Sequence, residues 1–391
     1  MPKDHEAASA RSDAGAATTA LLSDLVRIDS VNPALVAGAA GETAIARYVA
    51  DWAERLGLEV AWLEPQAGRP SVLVTARGHG GGRSLMLNAH MDTVGVDGMD
   101  APFEARVESG RLYGRGALDM KSGLAACMSA LAGVAAAGLA GDVVLAAVAD
   151  EEHASTGTAA ALDAVRTDAA IVAEPTGLEL HLAHRGFAVY EVETRGVASH
   201  TSQPERGVNA VAHMGRVLVE IERLQRELAA RPAHPLAGHG SAQAVRVQGG
   251  EELFVTPAAC RLSYERRTLP GEDAATAEAE LAGVLERAGN GATGFDARVS
   301  LELLREPFAV AADESIVTLT RAHAARVLGR DPVVTGAPYW SDAALLQAAG
   351  VPTLLLGAAG QGLHAIDEYV ELDSVTVLSE ILSSVALAFC A

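Results

Sequence analysis

Four apolar runs in this chain end in groups that bind metals or move protons. Leu85-Met86-Leu87-Asn88-Ala89 runs into His90 and Asp92, and Val143 to Ala149 runs into Asp150-Glu151-Glu152. Ile171-Val172-Ala173 delivers Glu174, and Pro352-Thr353-Leu354-Leu355-Leu356 leads to His364. Asp119 stands at the centre of Gly114-Arg115-Gly116-Ala117-Leu118-Asp119-Met120-Lys121-Ser122-Gly123, between a predicted strand and an alanine-rich helix. A lone carboxylate between glycines is ordinarily a turn or N-cap residue. Imidazoles and carboxylates gathered at strand ends suit zinc, and a hydrolytic zinc keeps one position for water. A bridging carboxylate can hold two such ions about 3.5 to 4 Å apart, close enough to act on one carbonyl. Asp119 fits that bridging place. Asp92, two residues beyond His90 on the same strand, points the same way and could accept the free imidazole N–H, fixing the tautomer; a turn cap is its other reading. Glu151 and Glu152 are adjacent, so in an extended chain they point apart and do different work.

In order, residue type and flanking sequence, the chain resembles the di-zinc aminoacylase and carboxypeptidase family. That family includes acetylornithine deacetylase, succinyl-diaminopimelate desuccinylase and carboxypeptidase G. The likeness runs from Leu25-Val26-Arg27-Ile28-Asp29-Ser30-Val31-Asn32-Pro33 almost to the C-terminus. It implies two divalent ions per chain, Zn2+ first and Co2+ as the alternative. His90, Asp119 and Glu174 would hold one ion, and Asp119, Glu152 and His364 the other. It also implies a cis peptide between Asp119 and Met120. Glu151 becomes the general base, taking a proton from water and passing it to the leaving amine. Burial and like charge would raise its pKa while two cations would lower it.

Two further motifs follow from the resemblance. His200, in Gly196-Val197-Ala198-Ser199-His200-Thr201-Ser202, would reach the partner subunit's site and hydrogen-bond the tetrahedral oxyanion. Arg267, in Glu265-Arg266-Arg267-Thr268-Leu269-Pro270-Gly271, would bind a substrate carboxylate, with strand register deciding between it and Arg266. The chain departs from the family at Gly357-Ala358-Ala359-Gly360, where Gly-Pro-Gly is usual, and at Ala154-Ser155-Thr156-Gly157 after Glu152. Both departures bear on substrate preference.

Rival chemistries find less support. Gly78-His79-Gly80-Gly81-Gly82 is similar to an esterase oxyanion loop, but the chain holds no Gly-x-Ser-x-Gly elbow. Lys121-Ser122 has Met120 and Arg115 where a phosphate loop needs glycines. A formal charge of −20 repels nucleic acid and anionic membrane. Cys127, Cys260 and Cys390 match no paired metal spacing. The N-terminus through Thr19 has no apolar core of a secretory signal, so a reducing cytoplasm is expected. From Ser122 to Ala149 only Asp142 is charged, but Gly141-Asp142 marks a turn that divides the stretch into helix and strand.

These groups need a scaffold. At 391 residues, two domains are expected. The continuous apolar strands call for a sheet covered on both faces. Helices are predicted from Thr18 to Ile28 and from Gly41 to Leu56, and neighbouring strands at 58–63 and 71–76. After Glu174 the character changes: Phe187 to Thr194 alternates cleanly and wants one wet face. The expected fold is α/β, a zinc-hydrolase catalytic domain with a mixed sheet flanked by helices, plus an inserted α+β lid that dimerises. The catalytic domain comprises 1–182 and 307–391, and the lid 183–306. The leading function is zinc-dependent hydrolysis of the amide of an N-acyl-amino acid, of the acetylornithine deacetylase or succinyl-diaminopimelate desuccinylase kind. A carboxypeptidase or dipeptidase with the same machinery is the near rival, and a non-catalytic binding protein the remote one.

Overall fold

The computed structural model describes residues 2–391, with side-chain surroundings from residue 15 onward. It divides into two compact units, one of Ala183–Ala309 with Gly336–Trp340 and one of the flanking segments.

In the flanking unit, four parallel strands form the centre of a mixed sheet, in the spatial order Val143–Val148, Leu85–His90, Ala169–Val172 and Thr353–Leu355. Each is buried along its whole length, which is why their sequences run apolar without alternation. Ser71–Ala76 and Glu59–Leu63 extend one side as antiparallel neighbours. The helix predicted from Thr18 to Ile28 is the last part of a longer one, Pro2–Arg27, which stops one residue short of Ile28. Helix Lys121–Val134 packs on the central strands, and its small residues bring it close. A Cβ built on Gly123 would lie 2.1 Å from the carbonyl oxygen of Ala173, so any side chain there would push the helix off the sheet.

Among the described residues one helix, Leu372–Phe389, is long and apolar enough to cross a membrane by length and composition. Here Val375, Leu378, Ile381, Leu382 and Val385 are buried, and the helix packs against Lys121–Val134. The apolar run from Ser122 does divide into that helix and the strand Val143–Val148.

Because the four central strands run the same way, their carboxyl ends share one edge of the sheet, the usual place for a site in such folds. A second, four-stranded sheet of short strands, Gly360–Gln361, Tyr369–Glu371, Arg111–Tyr113 and Arg106–Glu108, ties the 114–120 loop to the 362–368 loop. Strands of two or three residues leave no periodicity to read, so this sheet has no local mark in the sequence.

The other unit has four antiparallel strands in the order Ser241–Gly249, Ala259–Thr268, Gly186–Arg195 and Asp296–Arg305. Gly186–Arg195 alternates buried and half-buried residues, as its sequence pattern requires. Helices Ala210–Ala230 and Ala274–Gly289 cover one face, packing Val217, Ile221, Leu224 and Val284 on Tyr190, Leu262 and Tyr264. Its bounds differ from the expected 183–306: it runs to Ala309 and takes Gly336–Trp340 from the expected 307–391 segment. The Trp340 indole N–H donates to the carbonyl of Glu306 at 2.9 Å, and its ring lies under the Arg305 guanidinium.

Candidate metal centre

His90 ends its strand with a buried ring. Nδ1 lies 3.0 Å from the backbone carbonyl of Asp92. A carbonyl only accepts, so Nδ1 carries the proton and Nε2 offers its lone pair to the site. Nε2 stands 3.1 Å from Asp119 Oδ1 and 3.6 Å from Glu174 Oε1. Across the site, His364 Nε2 is 3.2 Å from Asp119 Oδ2 and 3.2 Å from Glu152 Oε2. The two oxygens of Asp119 thus face one imidazole each. The Asp119–Met120 peptide is cis, as the resemblance implies. Donor atoms of His90, Glu151 and Glu174 also lie within 4.8 Å of one another, so these three could hold an ion together.

Asp92 is placed differently from its expected role. Its carboxylate stands 3.7 Å from His90 Nδ1, and the ring's partner is the Asp92 main chain. The carboxylate is occupied elsewhere: Oδ1 accepts the Glu151 N–H at 3.1 Å, and Oδ2 accepts the Glu152 N–H at 3.2 Å and the Asn32 amide at 2.8 Å. Asp92 therefore fixes the turn that presents the two glutamates. Asn32 also donates to Asp150, which receives Arg69 at 2.8 Å, and Arg69 forks onto Glu42 at 2.6 Å through both nitrogens. Arg69 is the buried counter-charge of this set; without it Glu42 and Asp150 would both be buried acids without their cation.

The electrostatics of the cluster are those of crowded acids. Burial, then the neighbouring Glu174 carboxylate, pushes Glu151 well above the usual carboxylate range. Burial, then Asp119, does the same to Glu174. Burial also raises Glu152, against a hydrogen bond from His364. Asp119 moves the other way: although burial opposes it, hydrogen bonds from His364 and His90 hold it below its ordinary value. Hydrogen bonds to Asp119 and Glu152 push His364 up to about 10. Asp342 adds a further buried acid, pushed up to about 6 by burial, with its Oδ2 accepting the Thr158 hydroxyl at 2.5 Å.

These residues fit a pair of divalent cations. An Nε2 lone pair facing a carboxylate oxygen at 3.1 Å needs positive charge between them, either a second ring proton or a metal ion. Glu152 Oε1 is buried without a hydrogen-bond partner while its other oxygen faces His364. One imidazole with carboxylate oxygens on each side is a zinc-type donor set.

His200 and Arg267 lie in the other unit. Nδ1 of His200 accepts the Ser202 N–H at 3.2 Å, so the neutral ring carries its proton on Nε2, as a donor. Register separates the two arginines. Arg266 points under the helices, fully buried, to Glu280 at 2.7 Å and Glu272 at 3.0 Å. Arg267 points to the opposite face, over the Phe187 ring, with its fork on Glu265 at 2.8 and 3.1 Å.

Several organising residues escaped the sequence reading. Asn32 sits in a motif that carried the resemblance, yet showed no role there, and Glu368, four residues after His364, had no role assigned. Arg69, between Gly68 and Pro70, carried no signal at all.

The sequence description of peptidase family M20/M25/M40 matches residues 86–388. Acetylornithine deacetylase of Proteus mirabilis (strain HI4320) is 29% identical over 364 residues, covering 89% of this chain and 90% of that protein. Among solved structures, a tripeptidase from Staphylococcus aureus superposes with a TM-score of 0.78 at 18% identity, covering 96% of this chain and 98% of its own. A dinuclear metal-binding peptidase from Bacillus subtilis superposes with a TM-score of 0.71 at 16% identity, covering 97% and 99%. The chain belongs to peptidase family M20/M25/M40 and is a hydrolase acting on amide or peptide bonds.

Proposed function

We propose that this protein cleaves the amide of an N-acyl-amino acid to a carboxylate and a free amino acid. The observation that carries this reading is Asp119, whose two oxygens face His90 and His364 at 3.1 and 3.2 Å. His90, Asp119 and Glu174 would hold one ion, and Asp119, Glu152 and His364 the other, with zinc first and cobalt as the alternative. When bound, the ions supply Lewis acidity at the scissile amide. Glu151 takes the proton from the attacking water and returns it to the nitrogen as the C–N bond breaks. Nε2–H of His200, supplied from a partner subunit, donates to the developing oxyanion. Arg267 exchanges Glu265 for the α-carboxylate of the substrate, which its rigid fork can grip through two bonds.

A cavity of about 320 Å³ supports an uncharged acyl group. Its walls include Leu118, Pro175, Ala358, Ala359 and Leu363, close in sequence to Asp119, Glu174 and His364. None of its lining side chains is charged, so acetyl or formyl is expected to outrun succinyl. The test is a panel of N-acetyl, N-formyl and N-succinyl amino acids, dipeptides and C-terminal glutamate peptides, with zinc and with cobalt. We expect deacylation that falls at least about tenfold, roughly 1.4 kcal/mol, when the α-carboxylate is amidated and in Arg267→Ala. Equal rates on amidated substrates, or turnover of dipeptides alone, would replace this reading with a peptidase.

A homodimer through the inserted unit accompanies the proposal. Ser241–Gly249 is an edge strand whose Val245 and Val247 are 63% and 50% exposed, and Leu253 and Phe254 nearby are 84% and 70% exposed. Exposed apolar clusters on an unpaired edge mark interaction surfaces. Mixing His200→Ala with Glu151→Ala, each inactive alone, should restore activity in exchanged heterodimers. Verified exchange without rescue would refute sharing in trans. The reading places the enzyme in the cytoplasm, where its three free cysteines stay reduced; recovery outside that fraction on cell fractionation would contradict it.

A further inference from the structure

The mechanism gives no role to the buried carboxylate of Glu368. Glu368 is 1% exposed and lies four residues after His364. Its Oε1 accepts the N–H groups of Leu118 at 2.8 Å and Asp119 at 3.0 Å. Its Oε2 accepts the N–H of Gly116 at 2.9 Å and Nη1 of Arg115 at 2.6 Å. Arg115, also buried, donates in addition to the carbonyls of Gly95 and Ala365. Three amides of a single loop thus converge on one anion, an arrangement in which successive N–H groups form a concave cradle. The loop can wrap this way because residue 116 is glycine: its φ is +77°, and a Cβ there would meet Thr93 Cγ2 at 2.7 Å.

A simple loop closure would not call for this residue. Burying a carboxylate is costly, and this one takes a buried arginine, Arg115, as its counter-charge. Only a carboxylate accepts from four donors at once; a glutamine would turn its NH2 towards some of them. The result is a fixed main chain from Gly116 to Asp119, hence a fixed direction for the Asp119 side chain. The Glu368 end of the clasp belongs to the segment that carries His364, and pairing of Gly360–Gln361 with Tyr369–Glu371 closes that segment. Bridging ligand and histidine are locked to each other.

We infer that Glu368, held by Arg115, is a positioning residue of the Glu152–His364 metal site, setting Asp119 against His364 so that both can serve one ion. The inference rests on the two-ion reading above, and the experiment separates the two. Zinc binding is measured on folded protein by equilibrium dialysis against a competing chelator, alongside kcat and KM. Wild type should bind two ions; if it does not, the two-ion reading itself fails. In Glu368→Gln we expect the weaker ion to lose about 10- to 100-fold in affinity, with kcat falling and KM unchanged. Leu382→Ala, a buried position of the C-terminal helix, should lower the melting temperature without moving either affinity. If Glu368→Gln does not fold, Arg115→Lys, which keeps the charge but cannot hold Glu368, Gly95 and Ala365 through a planar guanidinium, should show a smaller loss at the same ion. Two-ion binding and kcat unchanged in the folded variant, or the same metal loss in Leu382→Ala, would overturn the assignment.

Discussion

An Asp119→Ala variant is expected to hold neither metal ion and to lose more than about 10³-fold in kcat/KM, about 4 kcal/mol of transition-state stabilisation. The size follows from the two-sided geometry. His90 and His364 each stand opposite a different oxygen of this one side chain. Removing it leaves His90 with Glu174 and His364 with Glu152, two groups apiece, where a hydrolytic zinc draws on three protein ligands. Asp119→Asn keeps the shape but not the second anionic oxygen, and should retain at most one ion. The check is metal content by mass spectrometry on protein with native circular dichroism. Two ions remaining in Asp119→Ala would remove the bridging assignment.

Glu151→Gln should lower kcat by about 10²- to 10⁴-fold, the range of a positioned acid–base group, while metal content stays at two. The backbone supports this separation of roles, because the Glu151 and Glu152 N–H groups are both held by Asp92, independently of either side chain. Glu152 therefore keeps its place when Glu151 is changed. The competing outcome is concrete: Glu151 lies within 4.8 Å of the ligand atoms of His90 and Glu174. Loss of one ion in Glu151→Gln would make it a ligand and send the search for the base elsewhere.

The central strands were legible because burial on both faces leaves a local mark, an unbroken apolar run, and their acids and histidines follow at the end of each run. The alternation of Gly186–Arg195 likewise announced a different kind of sheet. What stayed hidden depends on contacts far along the chain. Asp92 was read from its parity with His90, but its carboxylate is drawn to the main chain of the Glu151–Glu152 turn, about which parity says nothing. The choice between Arg266 and Arg267 needed the register of one strand. Arg69 meets Glu42 and Asp150 across 27 and 81 residues, and no spacing rule links them. Gly336–Trp340 joins the inserted unit through Glu306 and Arg305, a return the sequence does not punctuate.

Glu368 grips the amide of Asp119 from 249 residues further along. Between them lies the inserted unit, whose four strands and two helices are contiguous in sequence within Ala183–Ala309. As the chain is synthesised, that unit can close on itself, whereas the sheet beneath the metal centre still lacks Thr353–Leu355 and the Asp119 loop still lacks its clasp. Contacts of such long sequence separation form late. On the two-ion reading, the clasped arrangement of Asp119 and His364 is complete only after Glu368 has emerged.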